Sequence, residues 1–211
     1  MTEGCESCGK IGAPPVDPVV RRILWIVLIA NAAMFAVEIL GGHAIGSLSL
    51  QADALDFGAD AATYGITLWA VGRSAAVRTR AALIKSGAML LMGVVILAIA
   101  ALKAMSPTPP EPAPMGLIGL LALGVNLGAV FLLLRFRDSD ANLRSVWLCS
   151  RNDALGNLMV IAAAAVTAAT HSPWPDLAVG IVMSLLFVSG SVAIYGQARR
   201  ESATAHARVR A

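Results

Sequence analysis

The stretch "SLQADALDFGADAATYG", residues 49–65, sets three carboxylates, Asp53, Asp56 and Asp60, into an otherwise apolar run long enough to cross a membrane. Ionisable side chains are costly inside a bilayer, and where they occur they mark functional sites by default. On a helix Asp56 and Asp60, four residues apart, project from one face, one above the other, and Asp53 shares that stripe. Around them stand Ala52, Ala54, Gly58, Ala59, Ala61 and Ala62, small residues that let a neighbouring helix approach closely.

The rest of the chain agrees with a membrane setting. Of its 211 residues 57% are hydrophobic and only 14% charged, with a mean hydropathy of +0.74. A soluble domain carries about a quarter charged residues, so the balance indicates an integral membrane protein. A spanning helix takes roughly 20 apolar residues, which leaves room for about six spans. A separate soluble domain is not expected. Residues 1–20 lack the basic-then-apolar pattern of a cleavable signal. The net charge of +3 makes no case for nucleic acid. Three cysteines are too few and too scattered for a disulfide framework, and read as thiols in a reducing compartment.

Six apolar segments follow, at roughly 22–42, 46–72, 81–104, 116–136, 144–169 and 174–197. "SPTPPEPAP" (106–114), with five prolines, is expected to be non-helical and outside the hydrocarbon. "GGHAIGS" (41–47) reads as a tight turn, and "THSPWPD" (170–176) restarts a helix with Trp174 at the interface. Lys10, Arg21 and Arg22 precede the first segment; Arg73, Arg78 and Arg80 lie between the second and third. Arg135, Arg137 and Arg144 lie between the fourth and fifth, and Arg199, Arg200, Arg208 and Arg210 follow the sixth, whereas the alternate loops hold no Lys or Arg. Positive charge is retained on the cytoplasmic side. The expected fold is therefore an all-α integral membrane bundle of six transmembrane helices, with both termini cytoplasmic. Its parts are a flexible leader (1–20), the helical domain (21–198) and a short, frayed or surface-lying tail (199–211). The compartment expected is the bacterial inner (plasma) membrane.

The fifth segment answers the second. In "WLCSRNDALGN" Cys149 and Asp153 are again four apart, with Asn152 beside them. Two spans thus each offer a pair of donors at one-turn spacing, and four such donors can enclose a tetrahedral cation such as Zn²⁺. Protons compete with metal for carboxylates held in a poor dielectric, so such a cage can exchange protons for metal. Each residue also has a plainer role. Membrane aspartates serve as interhelical hydrogen-bond partners, and Cys149 alone suits a small buried hydrophobe. Asp53 is expected nearer the outer mouth, where capping and binding are both open. Arg151 points off the paired face. Asn31 and Glu38, seven apart, share a face of the first span; with Asn126 and Lys85 they read chiefly as bundle hydrogen bonds or snorkelling, Glu38 having proton relay as its second role. His43, His171 and His206 fall in turns or the tail. Cys5 and Cys8 form a CxxC in the leader, half of a soft-metal site.

At these residues the chain resembles the cation diffusion facilitator family of metal exporters. The resemblance runs through "GSLSLQADALDFGAD" in the second span, "RNDALGN" in the fifth and "WPDLAVGIVMSLLFVSGS" in the sixth. Family members carry [HD]xxxD in the second and fifth spans, which here are Asp56 and Asp60, then Cys149 and Asp153. The resemblance implies that these four are metal ligands, with Asp53, Asn152 and the leader cysteines as secondary candidates. Cys149 stands where histidine is usual, and a thiolate favours softer ions. The chain also looks like a short form lacking the family's cytoplasmic C-terminal domain. That expectation excludes regulation by such a domain and leaves a homodimer to form through the membrane part.

The resulting expectation is a proton-coupled exporter of divalent metal, Zn²⁺ or a similar ion (Cd²⁺, Co²⁺, Fe²⁺, Mn²⁺), working by alternating access, with metal ion, proton and lipid as partners and no bound cofactor. The alternative is a non-transporting membrane module whose acidic residues serve packing and whose CxxC binds metal or a partner. A small multidrug exporter would need a wide aromatic-lined cavity, and only 5% of residues are aromatic. No nucleophile–base pair or cofactor fingerprint points to an enzyme.

Overall fold

The computed structural model describes residues 18–70, 75–134 and 141–210; within these helices the side chains at 20, 67, 70, 75, 76, 78, 79, 82, 141–149, 194 and 197–210 lie outside the description. All regular structure among the described residues is helical: α1 (Pro18–Ile45), α2 (Leu48–Ala70), α3 (Ala75–Met105), α4 (Pro112–Leu134), α5 (Ala141–Thr170) and α6 (Trp174–Arg210). Among the described residues, five stretches are long and apolar enough to cross a membrane: Arg21–Ile45, Leu83–Met105, Pro112–Leu134, Ser150–Thr170 and Trp174–Ala193. α2 falls short of that apolarity because it carries the three aspartates, although it is 23 residues long.

The molecule turns its apolar side chains outward. Leu40, Ile84, Leu91, Leu102, Leu117 and Phe131 are all exposed, while Asn31, Glu38, Gln51, Asp53, Asn126, Asn157 and Asp176 are buried. Polar groups facing one another and hydrocarbon facing out is the arrangement that lipid requires.

α1 packs chiefly on α2 and α4 on α5; α1 also meets α4, and α2 meets α5. These four helices close a ring. α3 and α6 pair with each other and lie against α2, with α6 also touching α5. Small residues permit the close contacts. A Cβ at Gly180 of α6 would come within 2.8 Å of Leu48.

The turn between α1 and α2 fixes one end of the bundle. Gly46 takes the left-handed conformation at φ 74°, which favours glycine, and Ser47 N donates to Gly42 O at 2.8 Å. Ser47 then caps α2, its hydroxyl accepting from Leu50 N at 3.2 Å. Asp176, in the first turn of α6, completes the cap. Its Oδ2 accepts from Leu48 N at 2.8 Å, and its Oδ1 from Ser49 N at 3.0 Å and from the hydroxyls of Ser47 and Ser49, both at 2.7 Å. Lys103, near the end of α3, donates to Gly46 O, and Glu111 N meets Ile45 O at 3.4 Å. The three connections at this end are therefore drawn together.

Two expectations change. The proline-rich stretch is irregular only to Glu111, and α4 starts at Pro112, because the first helical turn needs no N–H partner and tolerates Pro112 and Pro114. α6 also continues as helix through the sequence read as a tail, to Arg210.

Candidate functional site

The aspartate stripe of α2 faces the ring interior and divides into two levels. At the first, Asp53 is buried at 1% exposure and Oδ2 accepts a 2.6 Å hydrogen bond from Asn157 Nδ2 of α5. Asn157 Oδ1 in turn accepts from Asn126 Nδ2 of α4 at 2.9 Å. Glu38 of α1 lies beside Asp53, fully buried, and feels the charges of Asp53 and Asp56. Four helices thus contribute one polar side chain each to a single network.

The second level lies seven residues further along α2, about 10 Å at helical rise. There Tyr64, one turn beyond Asp60, donates its hydroxyl to Asp60 Oδ2 at 3.0 Å. Tyr64 is buried, and it interacts electrostatically with both Asp60 and Asp153 of α5. The buried Ser150 hydroxyl approaches the Tyr64 phenol without a directed hydrogen bond. Lys85 of α3 acts on Asp60 through its charge and hydrogen-bonds Thr63. Asp60 and Asp153 are both partly buried.

Tyr64 is thus hydrogen-bonded to Asp60 and within electrostatic influence of Asp153. Asp56 occupies the same stripe between the two levels and faces Glu38 electrostatically. Asp53 turns instead to Asn157 and Glu38. Asn152 is exposed. The backbone of α5 puts Cys149 one turn before Asp153, but its side chain is outside the described residues, as are Cys5 and Cys8. Among the described residues no three of His, Cys, Asp and Glu already converge as a metal cluster. Of the residues outside the expected site, Glu38, Asn126 and Lys85 enter these networks, whereas Asn31 bonds its own helix, Nδ2 donating to Val27 O at 2.8 Å.

Tyr64, Asn157, Ser150 and Asp176 were not foreseen. Tyr64 and Asn157 do leave a trace in the sequence: each stands four residues after a site aspartate, Asp60 and Asp153, and so extends its stripe.

Comparison with known proteins now identifies the domain. The model of the cation efflux transmembrane domain matches residues 24–198. The chain belongs to the cation diffusion facilitator family. It is 29% identical to the "Metal cation efflux system protein CzcD" of Cupriavidus metallidurans (strain ATCC 43123 / DSM 2839 / NBRC 102507 / CH34), with 78% of this chain and 56% of the relative covered. The same figures describe its match to the "Cation efflux system protein CzcD" of Alcaligenes sp. (strain CT14). The chain thus spans little more than half the length of these curated relatives. Membership and the apolar helices make it an integral, multi-pass membrane protein from a family of transporters.

Proposed function

We propose that the chain exports a divalent metal cation, with Asp56, Asp60, Cys149 and Asp153 as the ligands that hold the cargo in transit. The observation that supports this reading is that Tyr64 hydrogen-bonds Asp60 of α2 and also interacts electrostatically with Asp153 of α5. Both are oxygen donors, and Cys149 would add sulfur one turn from Asp153, a donor set suited to Zn²⁺ or a comparable ion. The names of the two relatives, a metal cation efflux and a cation efflux system protein, agree with that cargo.

Export then needs a bundle that opens alternately to either side around this level. In the proposed topology α2 is the sixth span, admitted to the membrane because its aspartates face other helices rather than lipid. Basic residues at the ends distal to the α1–α2 turn set both termini in the cytoplasm of a cell whose plasma membrane holds the protein. Protons displaced from the carboxylates serve as the counter-ion. The membrane domain pairs as a homodimer, and Cys5 and Cys8 pass soft metal toward the cytoplasmic mouth.

The test is uptake of Zn²⁺, Cd²⁺, Co²⁺, Fe²⁺ and Mn²⁺ into proteoliposomes under a pH gradient. Wild type is expected to accumulate at least one of these ions, and Asp60→Asn and Asp153→Asn to fall to the level of empty vesicles. Full uptake by both variants would reduce the aspartates to packing groups.

A further inference from the structure

Lys85 places a cation inside the apolar stretch of α3, Leu83–Met105. It is half-buried, and its ammonium donates to Thr63 Oγ1 of α2. The Thr63 hydroxyl gives its own hydrogen to Ala59 O at 2.7 Å, so it meets the ammonium as an acceptor. Lys85 thus crosses from one helix to the next and ends beside residues 59–63, the turn of α2 that contains Asp60.

An ammonium taken out of water is costly unless it is paired, and the helices around α3 leave few partners. α3 itself carries no Asp or Glu. α6 packs along it and has Asp176 as its one acid before Glu201, but that carboxylate is committed to the Leu48 and Ser49 amides. α2 offers Asp53, Asp56 and Asp60, which precede Thr63 along the helix. At helical rise their separations from Thr63 are about 15, 10 and 4.5 Å along the axis, so Asp60 is the acid within reach. The charge of Lys85 acts on that same residue.

We propose that Lys85 is the tethered counter-ion of the empty cargo site and thereby sets its affinity. The ammonium rests against Asp60 when no metal is bound, and Thr63 holds it when a dication takes that carboxylate. Lys85 keeps its proton throughout, so the device is a fixed charge that shifts between two acceptors. Resting on the transport reading, this residue serves both halves of the cycle. A dication at Asp60 is repelled by a positive charge that cannot leave the bundle, which weakens binding. The same repulsion helps the ion to depart, and a site that must release its cargo needs binding that is not too tight.

The full chain is tested in detergent by Zn²⁺ and Cd²⁺ calorimetry, and in proteoliposomes by uptake of the same ions. Lys85→Gln removes the charge and keeps a donor for Thr63. It is expected to bind the ion about tenfold more tightly, with both KM and kcat lowered. Lys85→Met, neutral and without that donor, is expected to match it in affinity, which separates the charge from the hydrogen bond. Lys85→Arg, which keeps the charge, retains the weaker binding. Lys103→Gln removes an equal charge from the far part of α3, about 27 Å away, and leaves Kd unchanged.

Thermal unfolding of the metal-free protein gives a second readout. In a cycle of Asp60→Asn, Lys85→Gln and the double variant, the two losses of melting temperature are expected not to add. Unchanged affinity and KM in both neutral variants, or additive melting losses, overturn the inference. Weaker binding in those variants also overturns it, because Lys85 is then a support of the ligands. Vesicles that move no metal defeat the transport reading; the counter-ion still stands if the Asp60–Lys85 coupling persists and Lys85→Gln tightens Zn²⁺ binding.

Discussion

Asp176, in the first turn of α6, accepts hydrogen bonds from the backbone amides of both Leu48 and Ser49, the opening residues of α2. A carboxylate from one helix thus supplies the acceptor for first-turn amides of another that have no partner in their own helix, at the positive end of its dipole. With the hydroxyls of Ser47 and Ser49 added, the carboxylate accepts four hydrogen bonds.

Removing that carboxylate leaves two buried N–H groups without acceptors. Asp176→Ala is expected to destabilise the protein by about 3 kcal/mol, and Asp176→Asn by about half as much, because one carbonyl acceptor survives. Thermal unfolding in a mild detergent measures both. Equal melting temperatures for wild type and Asp176→Ala would show the cap to be replaceable by water.

At the level proposed to hold the cargo, the Tyr64 hydroxyl occupies Asp60 Oδ2, where it would compete with an ion. Tyr64→Phe frees that oxygen while keeping the ring, so calorimetric Zn²⁺ affinity is expected to stay within about tenfold of wild type, equivalent to about 1.4 kcal/mol. Asp60→Asn, which removes the proposed ligand itself, is expected to abolish binding. The contrast separates a neighbour of the ligand from the ligand.

Cys149→His exchanges a soft donor for a borderline one at the first position of the α5 pair. Transport should persist, with the ratio of Cd²⁺ to Zn²⁺ uptake lowered. An unchanged ratio across matched proteoliposomes removes Cys149 from the ligand set.

The α2–α6 contact depends on the absence of a side chain. A Cβ at Gly180 would meet the Leu48 backbone carbonyl carbon at 2.9 Å, whereas nothing lies within 4 Å of one at Gly190. Gly180→Ala is expected to cost about 2 kcal/mol by overpacking, and Gly190→Ala to leave the melting temperature unchanged or slightly raised, since alanine is the better helix former.

The sequence was most legible where a periodic signal coincided with an unfavourable residue. Asp53, Asp56 and Asp60 could be placed on one helical face because their spacing is a property of a single helix, and the apolar stretches could be found because lipid imposes their length. Asp176 was not legible. It looks like an ordinary first-turn acid of α6, and only tertiary packing brings it to Ser47 and Leu48. The division of the aspartates was hidden for the same reason: Asp53 is drawn to Asn157 and Glu38 by neighbours on α5 and α1, which no spacing within α2 reveals. Pro112 and Pro114 misled in the opposite direction, because a residue that ends helices also begins them.

Since α2 is secured at Leu48 by Asp176 and at the preceding turn by Lys103, that terminus acts as a pivot for the rod beyond it. Any swing of the helix displaces Asp60, twelve residues from the pivot, through more than twice the arc of Asp53, five residues from it. The same rotation therefore displaces Asp60 while moving Asp53 less than half as far.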